Sequence, residues 1–188
     1  MGCAKRQRSI HHQIFNKMNR EIKFRGKDLI TGKWIYGGFH KHIVFTPAIY
    51  PSKDEAQKDI EKHTHYLIIS DTFSDYCMQR NIQATEVAPE TVGQFTGLHD
   101  KNGKEIYEGD LIKAPSGLVY TVIFGTWVHD EKKEFPKIID KYEHTGWCIS
   151  LDGNTPCELL DSEVYSGVIT GNVHDNPSLL KVNSAGNI

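Results

Sequence analysis

Short runs in which apolar and polar residues alternate predict a chain built mainly of β-strands. Alternation begins at residues 22–25, and an apolar and aromatic run follows at residues 34–39. From residue 84 onward such runs recur, separated by turn-forming clusters of Gly, Asp, Asn and Pro, of which residues 100–103 are the clearest. The pattern predicts a mainly β fold with minor α content, arranged as small barrel-like or sandwich sheets.

Several elements have definite expected positions within this pattern. Residues 43–45 are predicted as a short buried strand, residues 118–124 as a long strand and residues 130–137 as a charged loop. Gly37 and Gly38 interrupt an apolar run. A Gly pair inside a strand predicts a bulge or the close approach of another backbone.

One short helix is predicted at residues 53–62. Ser52 is a good N-cap, and Glu55 stands three residues later in the order of a capping box. Ala56 and Ile60 form its inward-facing pair. The helix is therefore expected to pack on one side at most.

The pattern divides the chain into four parts. Residues 1–17 are an N-terminal extension, either non-native or a short helix, and Met18 has the character of a natural start. Residues 18–83 form a β-hairpin and a mixed region, and residues 84–180 form the barrel-like region. Residues 181–188 are expected to be a frayed tail.

The charge of the chain is unevenly distributed. The first 41 residues hold ten Lys and Arg against two acids, a balance of +8, whereas the remaining residues hold twelve against twenty-two, a balance of −10. Such a split indicates either a nucleic-acid-binding end or two halves that attract each other within or between subunits. We favour attraction between the halves, because the basic end lacks a dense Lys/Arg block.

Self-association is the preferred form of this attraction. Trp34, Tyr36 and Phe39 would supply the apolar anchors between subunits. The alternative is that the same hairpin folds back on its own chain and satisfies the same charges.

The sequence predicts a cytoplasmic protein with no membrane partner. No uncharged apolar run approaches about 18 residues, and no apolar stretch follows the basic N-terminus as a secretory signal requires. None of the four cysteines forms a CxxC pair. We therefore expect reduced thiols, with Cys148 as a small core residue.

The sequence predicts no catalytic, cofactor-binding or metal-ligating residue and leans against an enzyme. It contains no GxSxG, GxGxxG or P-loop pattern. The sharpest candidates are two histidine pairs, His40 with His42 and His63 with His65, because residues two apart on a strand share one face. We interpret them as exposed surface residues, and whether they bind a metal is left open.

A nucleic-acid interface is the alternative function. Basic and aromatic residues interleave on the first hairpin, as single-strand-binding proteins require: Arg20, Lys23, Arg25, Lys27 and Lys33 with Phe24, Trp34 and Tyr36. Alternation nevertheless places Phe24 on the face opposite Lys23 and Arg25, so Phe24 is expected to face a core.

Residues 87–110 carry a dense turn chemistry whose simplest role is structural. Gly93, Gly97, Gly103 and Gly109 stand where turns or bulges need them, and Asp110 follows a tight turn where a carboxylate can accept backbone N–H groups. A calcium loop is excluded by its ligand count, since the turn lacks further oxygen ligands.

Five stretches of the chain resemble the YopX family, over residues 18 to about 180. They are the opening FRGK and TGKWIYG runs at residues 24–27 and 31–37, the central VAPETVGQFTGL and DKNGKEIYEGD runs at residues 87–98 and 100–110, and the closing GNVHDNP run at residues 171–177. The family consists of small phage and prophage proteins, so the resemblance implies a phage or mobile-element origin and action in a bacterial cytoplasm. It implies no activity.

These observations together favour a non-enzymatic accessory protein that binds protein, either itself as a homo-oligomer or a host or phage protein. The alternatives are a nucleic-acid-binding phage protein and, more distantly, a metal-dependent hydrolase. No cofactor is expected.

Overall fold

A computed structural model of the chain describes residues 21–44, 49–72, 81–133, 138–160 and 166–181, and it confirms a mainly β fold. The strands are β1 Phe24–Lys27, β2 Trp34–Ile43, β3 Thr64–Thr72, β4 Asn81–Glu86, β5 Gly93–His99, β6 Glu105–Tyr107, β7 Asp110–Lys113, β8 Val119–Lys133, β9 Ile138–Ser150, β10 Glu158–Leu159 and β11 Val168–Asn172. The helices are α1 Lys53–Lys62 and α2 Ser178–Lys181, and a 3-10 turn covers Pro89–Thr91.

The strands form two antiparallel sheets that stack like a sandwich and do not close into a barrel. The first sheet has the order β4-β3-β2-β1-β5-β6 and the second the order β10-β9-β8-β7-β11. The first sheet therefore combines strands from both sides of the boundary expected near residue 84. The short β6–β7 connection carries the chain from one sheet to the other.

The main core lies between the second sheet and the β6 end of the first. Its buried members are Ile106, Ile112, Val122, Ile149, Leu160 and Ile169. Period-two alternation of each strand directs these apolar side chains inward, because successive residues of a strand point to opposite faces. Cys148 is fully buried, as predicted, and Cys157 is exposed.

The predicted helix is confirmed with the expected bounds as α1. The Ser52 hydroxyl accepts a hydrogen bond from the Glu55 amide at 3.3 Å, which is the N-cap contact. Ala56 and Ile60 are half-buried rather than buried. The helix thus packs on one side only lightly.

The expected close approach at the Gly pair is confirmed at Gly37. A Cβ atom built on Gly37 would collide with the backbone carbonyl of Ile69 on β3. The collision arises where β2 changes partner, because Gly37 pairs with β1 and Gly38 pairs with β3. A side chain at this point would push the two strands apart.

The strand predicted at residues 43–45 is wrong in both extent and burial. Ile43 is the last residue of β2, and it and Val44 are exposed. Phe45 lies outside the described residues. The apolar run misled the prediction because, among the described residues, the outer part of β2 pairs with β3 and contributes no member to the main core.

The prediction of a charged loop at residues 130–137 is wrong for residues 130–133, which belong to a strand. β8 continues to Lys133, and the ladder with β9 runs without a break from Thr121↔Ser150 to Lys133↔Ile138. Residues 134–137 lie outside the described residues. Charged residues are compatible with this ladder because its hydrogen bonds are made by the backbone.

The expectations for residues 1–17, for Met18 as a start and for residues 182–188 lie outside the described residues. Within the described parts of the chain, neither helix has the length or the apolar character that crossing a bilayer demands.

Candidate functional site

A cleft at the edge of the two sheets gathers the opening, central and closing motifs of the sequence. Its volume is about 490 Å³. It is lined by Lys23, Arg25, Trp34, Tyr36, Lys104, Glu105, Tyr107, Asp110, Gly171, Asn172 and Asp175. Strands β1 and β2, the β6–β7 connection and the turn that follows β11 thus meet at one place. No catalytic, cofactor-binding or metal-ligating residue was predicted here, but Lys23, Arg25, Trp34 and Tyr36 were named as the alternative nucleic-acid interface.

The centre of the cleft is a buried ion pair between Arg25 and Asp110. Nη1 of Arg25 donates to Oδ1 of Asp110 at 2.6 Å, and Nη2 donates to the Glu108 carbonyl at 3.0 Å. The other Asp110 oxygen accepts from the Tyr107 amide at 2.8 Å. Arg25 is 5% and Asp110 1% exposed. The pair therefore ties β1 to the β6–β7 turn across 85 residues of sequence.

The turn between Tyr107 and Asp110 is shaped for this contact. Gly109 has a φ of 80°, which a side chain would strain. The predictions of a tight turn here and of a backbone N–H donating to Asp110 are both confirmed. Burial raises the pKa of Asp110, against the opposing effects of the Arg25 charge and the Tyr107 amide.

Two aromatic rings contact the Arg25 guanidinium. Its central carbon lies 4.7 Å from the ring centre of Trp34 and 5.1 Å from that of Tyr107. Tyr36 meets Tyr107 edge to face at 5.4 Å. A cation placed on aromatic faces gains from the ring quadrupoles, and more so when it is desolvated. The Nε atom of Arg25 has no hydrogen-bond partner among the described residues.

One rim of the cleft is a second charged contact. Nζ of Lys23 donates to both Glu105 oxygens at 2.9 and 2.8 Å, and the Tyr107 hydroxyl donates to Glu105 at 2.6 Å. Partial burial acts to raise the pKa of Glu105, but the hydrogen bonds from Lys23 and Tyr107 outweigh it and hold the pKa below its usual range. Burial and the adjacent Glu105 carboxylate raise the pKa of Tyr107.

The other rim is organised by Asp175 in the turn after β11. Its carboxylate accepts from Lys27, from Nε1 of Trp34 at 2.9 Å and from Nδ2 of Asn172 at 2.7 Å. Asn172 shapes the turn through its Oδ1, which accepts from the amides of His174 and Asp175 at 3.0 and 2.9 Å. The hydrogen bond from Lys27, then those from Asn172 and Trp34, lower the pKa of Asp175.

The chemistry of the cleft is that of a clamp. Three cations of β1 and the residue before it pair with three carboxylates from distant segments: Lys23 with Glu105, Arg25 with Asp110 and Lys27 with Asp175. This arrangement is the fold-back alternative, in which the basic hairpin satisfies its charges within its own chain. These three carboxylates are committed to holding segments together, and the cleft is primarily a structural junction.

The apolar residues named as anchors for self-association make contacts within the chain. Trp34 is held by Arg25 and Asp175, and Phe39 packs on Phe24 at 5.4 Å. Tyr36 is 43% exposed. Self-association itself stays a prediction.

The structure separates the two histidine pairs. His40, His42 and His65 share one face of the first sheet, because His42 stands directly across from His65 in the register of β2 and β3. His63 instead caps the end of α1, where its Nδ1 contacts the Asp59 carbonyl at 2.8 Å.

The basic residues considered for nucleic acid are divided by their contacts. Lys23, Arg25 and Lys27 are the members of the clamp. Lys33 is exposed, and Arg20 lies outside the described residues. Phe24 packs against Phe39 but is only half-buried, whereas Arg25 on the opposite face of the strand is buried.

The turn at Asp100 is structural, as expected. Its Oδ1 accepts from the amides of Asn102 and Lys104 at 2.8 and 2.9 Å, and its Oδ2 accepts from the Ile169 amide of β11 at 3.0 Å. The carboxylate therefore secures the β5–β6 turn to the second sheet. Burial opposes its ionisation, but these backbone donors prevail and lower the pKa of Asp100.

Comparison with known proteins gives one family. The model of the family described as YopX protein matches residues 23–181. The crystal structure of protein EF1440 from Enterococcus faecalis is similar at 19% sequence identity and a TM-score of 0.38, covering 85% of this chain and 98% of that one. No curated protein matches the chain.

Proposed function

This chain belongs to the YopX family, and from that premise we propose that it is a non-enzymatic accessory protein of a phage or prophage. It acts in the bacterial cytoplasm by binding protein, and its first partner is a second copy of itself. The phage origin and the location follow from what the family resemblance implies. The binding mode follows from the surface that β8 and β9 present.

The observation that carries the proposal is a two-stranded ribbon that extends beyond the core. We define the ribbon as residues 125–133 of β8 paired with residues 138–146 of β9. Nine residue pairs at about 3.4 Å each give a length of about 30 Å. No other described strand pairs with the ribbon, since β7 pairs with β8 only at residues 119–121 and β10 pairs with β9 only at residues 148–149, all of them outside the ribbon.

A ribbon of this kind favours pairing with another chain. Two strands alone are marginally stable in water, and the outer edges of such a ribbon are in general the places where a further strand can pair. The equivalent edge of a second copy is self-complementary about a two-fold axis, which is the commonest symmetry of soluble oligomers. Antiparallel edge pairing would satisfy the backbone groups of both copies at once.

Exposed apolar residues lie along the same ribbon and at its base. Phe124 is 56% and Val128 59% exposed, and both share the face that carries the core residues Val122 and Ile149 nearer the body of the sheet. Phe124 packs against Trp147 edge to face at 5.1 Å, which leaves much of its ring open. Burial of Val128 and Phe124 against a partner would add about 25 cal/mol for each Å² removed from water.

Light scattering at micromolar concentration tests the proposal. Wild-type protein is expected to have at least twice the mass of one chain, and Val128→Glu is expected to shift it to the mass of one chain. The matched control is Ile82→Glu on β4, where the residue is 75% exposed on the other sheet. The control should keep the wild-type mass.

A monomer mass for the wild-type protein at low salt would overturn self-association. The broader proposal of protein binding would then be decided by affinity capture from the infected host with wild type, Val128→Glu and Ile82→Glu as baits. Protein binding fails if Val128→Glu captures the same set as wild type. Recovery of nucleic acid that is lost steeply with added salt would support the alternative function.

A further inference from the structure

Four side chains that can ligate or support a metal lie on one exposed face of the first sheet. His42 on β2 stands opposite His65 on β3, and His40 stands opposite Leu67, which in turn pairs with Glu86 on β4. Cross-strand partners point to the same face, and so do residues two apart on a strand. His40, His42, His65 and Glu86 therefore occupy two adjacent rows of the same face.

The spacing lets the three imidazole rings reach one ion once their exposed side chains rotate. The ring centres of His40 and His42 are 6.0 Å apart. Directly opposed residues of an antiparallel pair have Cβ atoms about 4.5–5.5 Å apart, which applies to His42 and His65. His40 and His42 are exposed and His65 is 38% exposed in its side chain, so the rings can turn toward a common point.

Glu86 supplies the carboxylate that commonly contacts the second ring nitrogen of a metal-binding histidine. Its Oε1 lies 2.7 Å from Nδ1 of His65. A carboxylate at this distance favours the tautomer with the proton on Nδ1, which leaves the Nε2 lone pair free for a metal. Such carboxylate–histidine pairs orient the ring and increase its basicity as a ligand.

The Lys41 ammonium, the cation nearest in sequence, lies on the other face of the sheet from these histidines. Lys41 stands between His40 and His42 in sequence but points to the opposite face, where its Nζ lies 5.6 Å from the ring centre of Tyr66. His63 is excluded from the group, because its Nδ1 is held by the Asp59 carbonyl at 2.8 Å and carboxylate at 3.2 Å.

We propose that His40, His42 and His65 form a binding site for a divalent transition-metal ion, with Zn²⁺ as the reference ion and Glu86 positioning His65. Among the described residues, no three potential ligands are already grouped closely enough to hold a metal. The site forms by rotation of the exposed rings onto the ion. Three imidazole nitrogens at about 2.0–2.1 Å and a water complete the tetrahedral set that Zn²⁺ prefers.

Binding of Zn²⁺ to untagged, chelator-treated, full-length protein tests the site. Competition against a chromophoric zinc indicator is expected to give one Zn²⁺ per chain. His42→Ala and His65→Ala should each weaken the affinity by about 10-fold or more, and Glu86→Gln, which removes only the supporting carboxylate, by about 10-fold. His63→Ala is the matched control and should bind as wild type does.

A second readout identifies the ligands directly. Replacement of Zn²⁺ by Co²⁺ should give the intense visible absorption of a four-coordinate nitrogen site, and His42→Ala should abolish it. The proposal is overturned if wild-type protein binds no stoichiometric Zn²⁺, or if His63→Ala weakens binding as much as His42→Ala does. Retention of wild-type affinity by His42→Ala or His65→Ala overturns it equally.

Discussion

Breaking the Arg25–Asp110 pair should cost more stability than breaking any exposed ion pair of the protein. The perturbation is Arg25→Met, which keeps much of the side-chain bulk beside Trp34 and Tyr107 but removes the charge. Asp110 is then left 1% exposed, and the Tyr107 amide is its one remaining donor among the residues that the structure describes. A buried charge without its partner is strongly unfavourable.

The structure sets the size of the effect. Unit charges about 4 Å apart at an effective dielectric constant of about 20 attract by about 4 kcal/mol. Removal of one member of a buried pair typically costs about 3–5 kcal/mol. Because a domain is stabilised by about 5–15 kcal/mol in total, Arg25→Met should lose a large share of the free energy of unfolding.

A matched control lies two residues away on the same strand. Lys27→Met breaks the pair with Asp175, whose side chains are 27% and 36% exposed. A pair at the surface contributes about 0–1 kcal/mol, so this variant should be close to wild type. The double variant Arg25→Met/Asp110→Asn should lose less than the two single losses added together, since no buried charge remains unpaired.

Urea unfolding at several pH values is the assay. In Arg25→Met the pKa of Asp110 rises further, so the folded state holds a proton that the unfolded state has released. The stability of the variant relative to wild type should therefore fall as the pH rises above about 4, the ordinary range of an Asp carboxyl. Equal losses for Arg25→Met and Lys27→Met, without this pH dependence, would refute the role assigned to the pair.

Three further predictions concern the N-cap of α1, the close approach of β3 to Gly37, and the Asp175 carboxylate at the rim of the cleft. Ser52→Ala should lower the local stability of α1 by about 1 kcal/mol, seen as faster amide hydrogen exchange in α1 alone; unchanged exchange would contradict the capping role. Gly37→Ala should destabilise the fold by more than about 1 kcal/mol, measured by urea unfolding, because a Cβ meets the Ile69 carbonyl; Gly38→Ala, which meets no atom closer than 3.9 Å, is its control. Because the pKa of Asp175 is lowered in the folded state, its ionised carboxylate stabilises the fold fully above about pH 4, and this stabilisation is lost as the pH falls further. Asp175→Asn should therefore make the free energy of unfolding depend less on pH below about pH 4; an unchanged dependence would count against this role.

Local chemistry made part of the fold predictable. Ser52 and Glu55 specify the start of α1, and the carboxylate of Asp100 specifies its turn, because each signal acts over a few residues. Gly37 was identifiable as a point of close approach because only a residue without a side chain fits there.

The length of the ribbon could not be read from the same local chemistry. Residues 130–133 are charged, and charge suggested a loop. The backbone ladder of β8 and β9 continues through them regardless, since its partner is supplied by register and not by side-chain polarity. Apolar periodicity reports burial, and this ribbon extends beyond the core.

The contacts of the clamp could not be predicted from the sequence for a different reason. Arg25 and Asp110 are 85 residues apart, and each taken alone has an ordinary surface interpretation. The sequence showed that the two motifs containing them belong to one pattern, but not that the motifs touch. The aromatic residues Trp34 and Tyr107 in the same motifs were a signal for the position of Arg25, because an Arg side chain often lies over an aromatic ring.

The central claim, that the ribbon pairs with a second copy, is tested most directly by photo-cross-linking. A photoreactive amino acid is placed at Val128 and, in a separate variant, at Ile82, two exposed apolar positions on different sheets. Irradiation of purified protein at micromolar concentration should give a covalent dimer from position 128 and a monomer from position 82. No dimer from position 128, or equal dimer from both positions, would contradict the account.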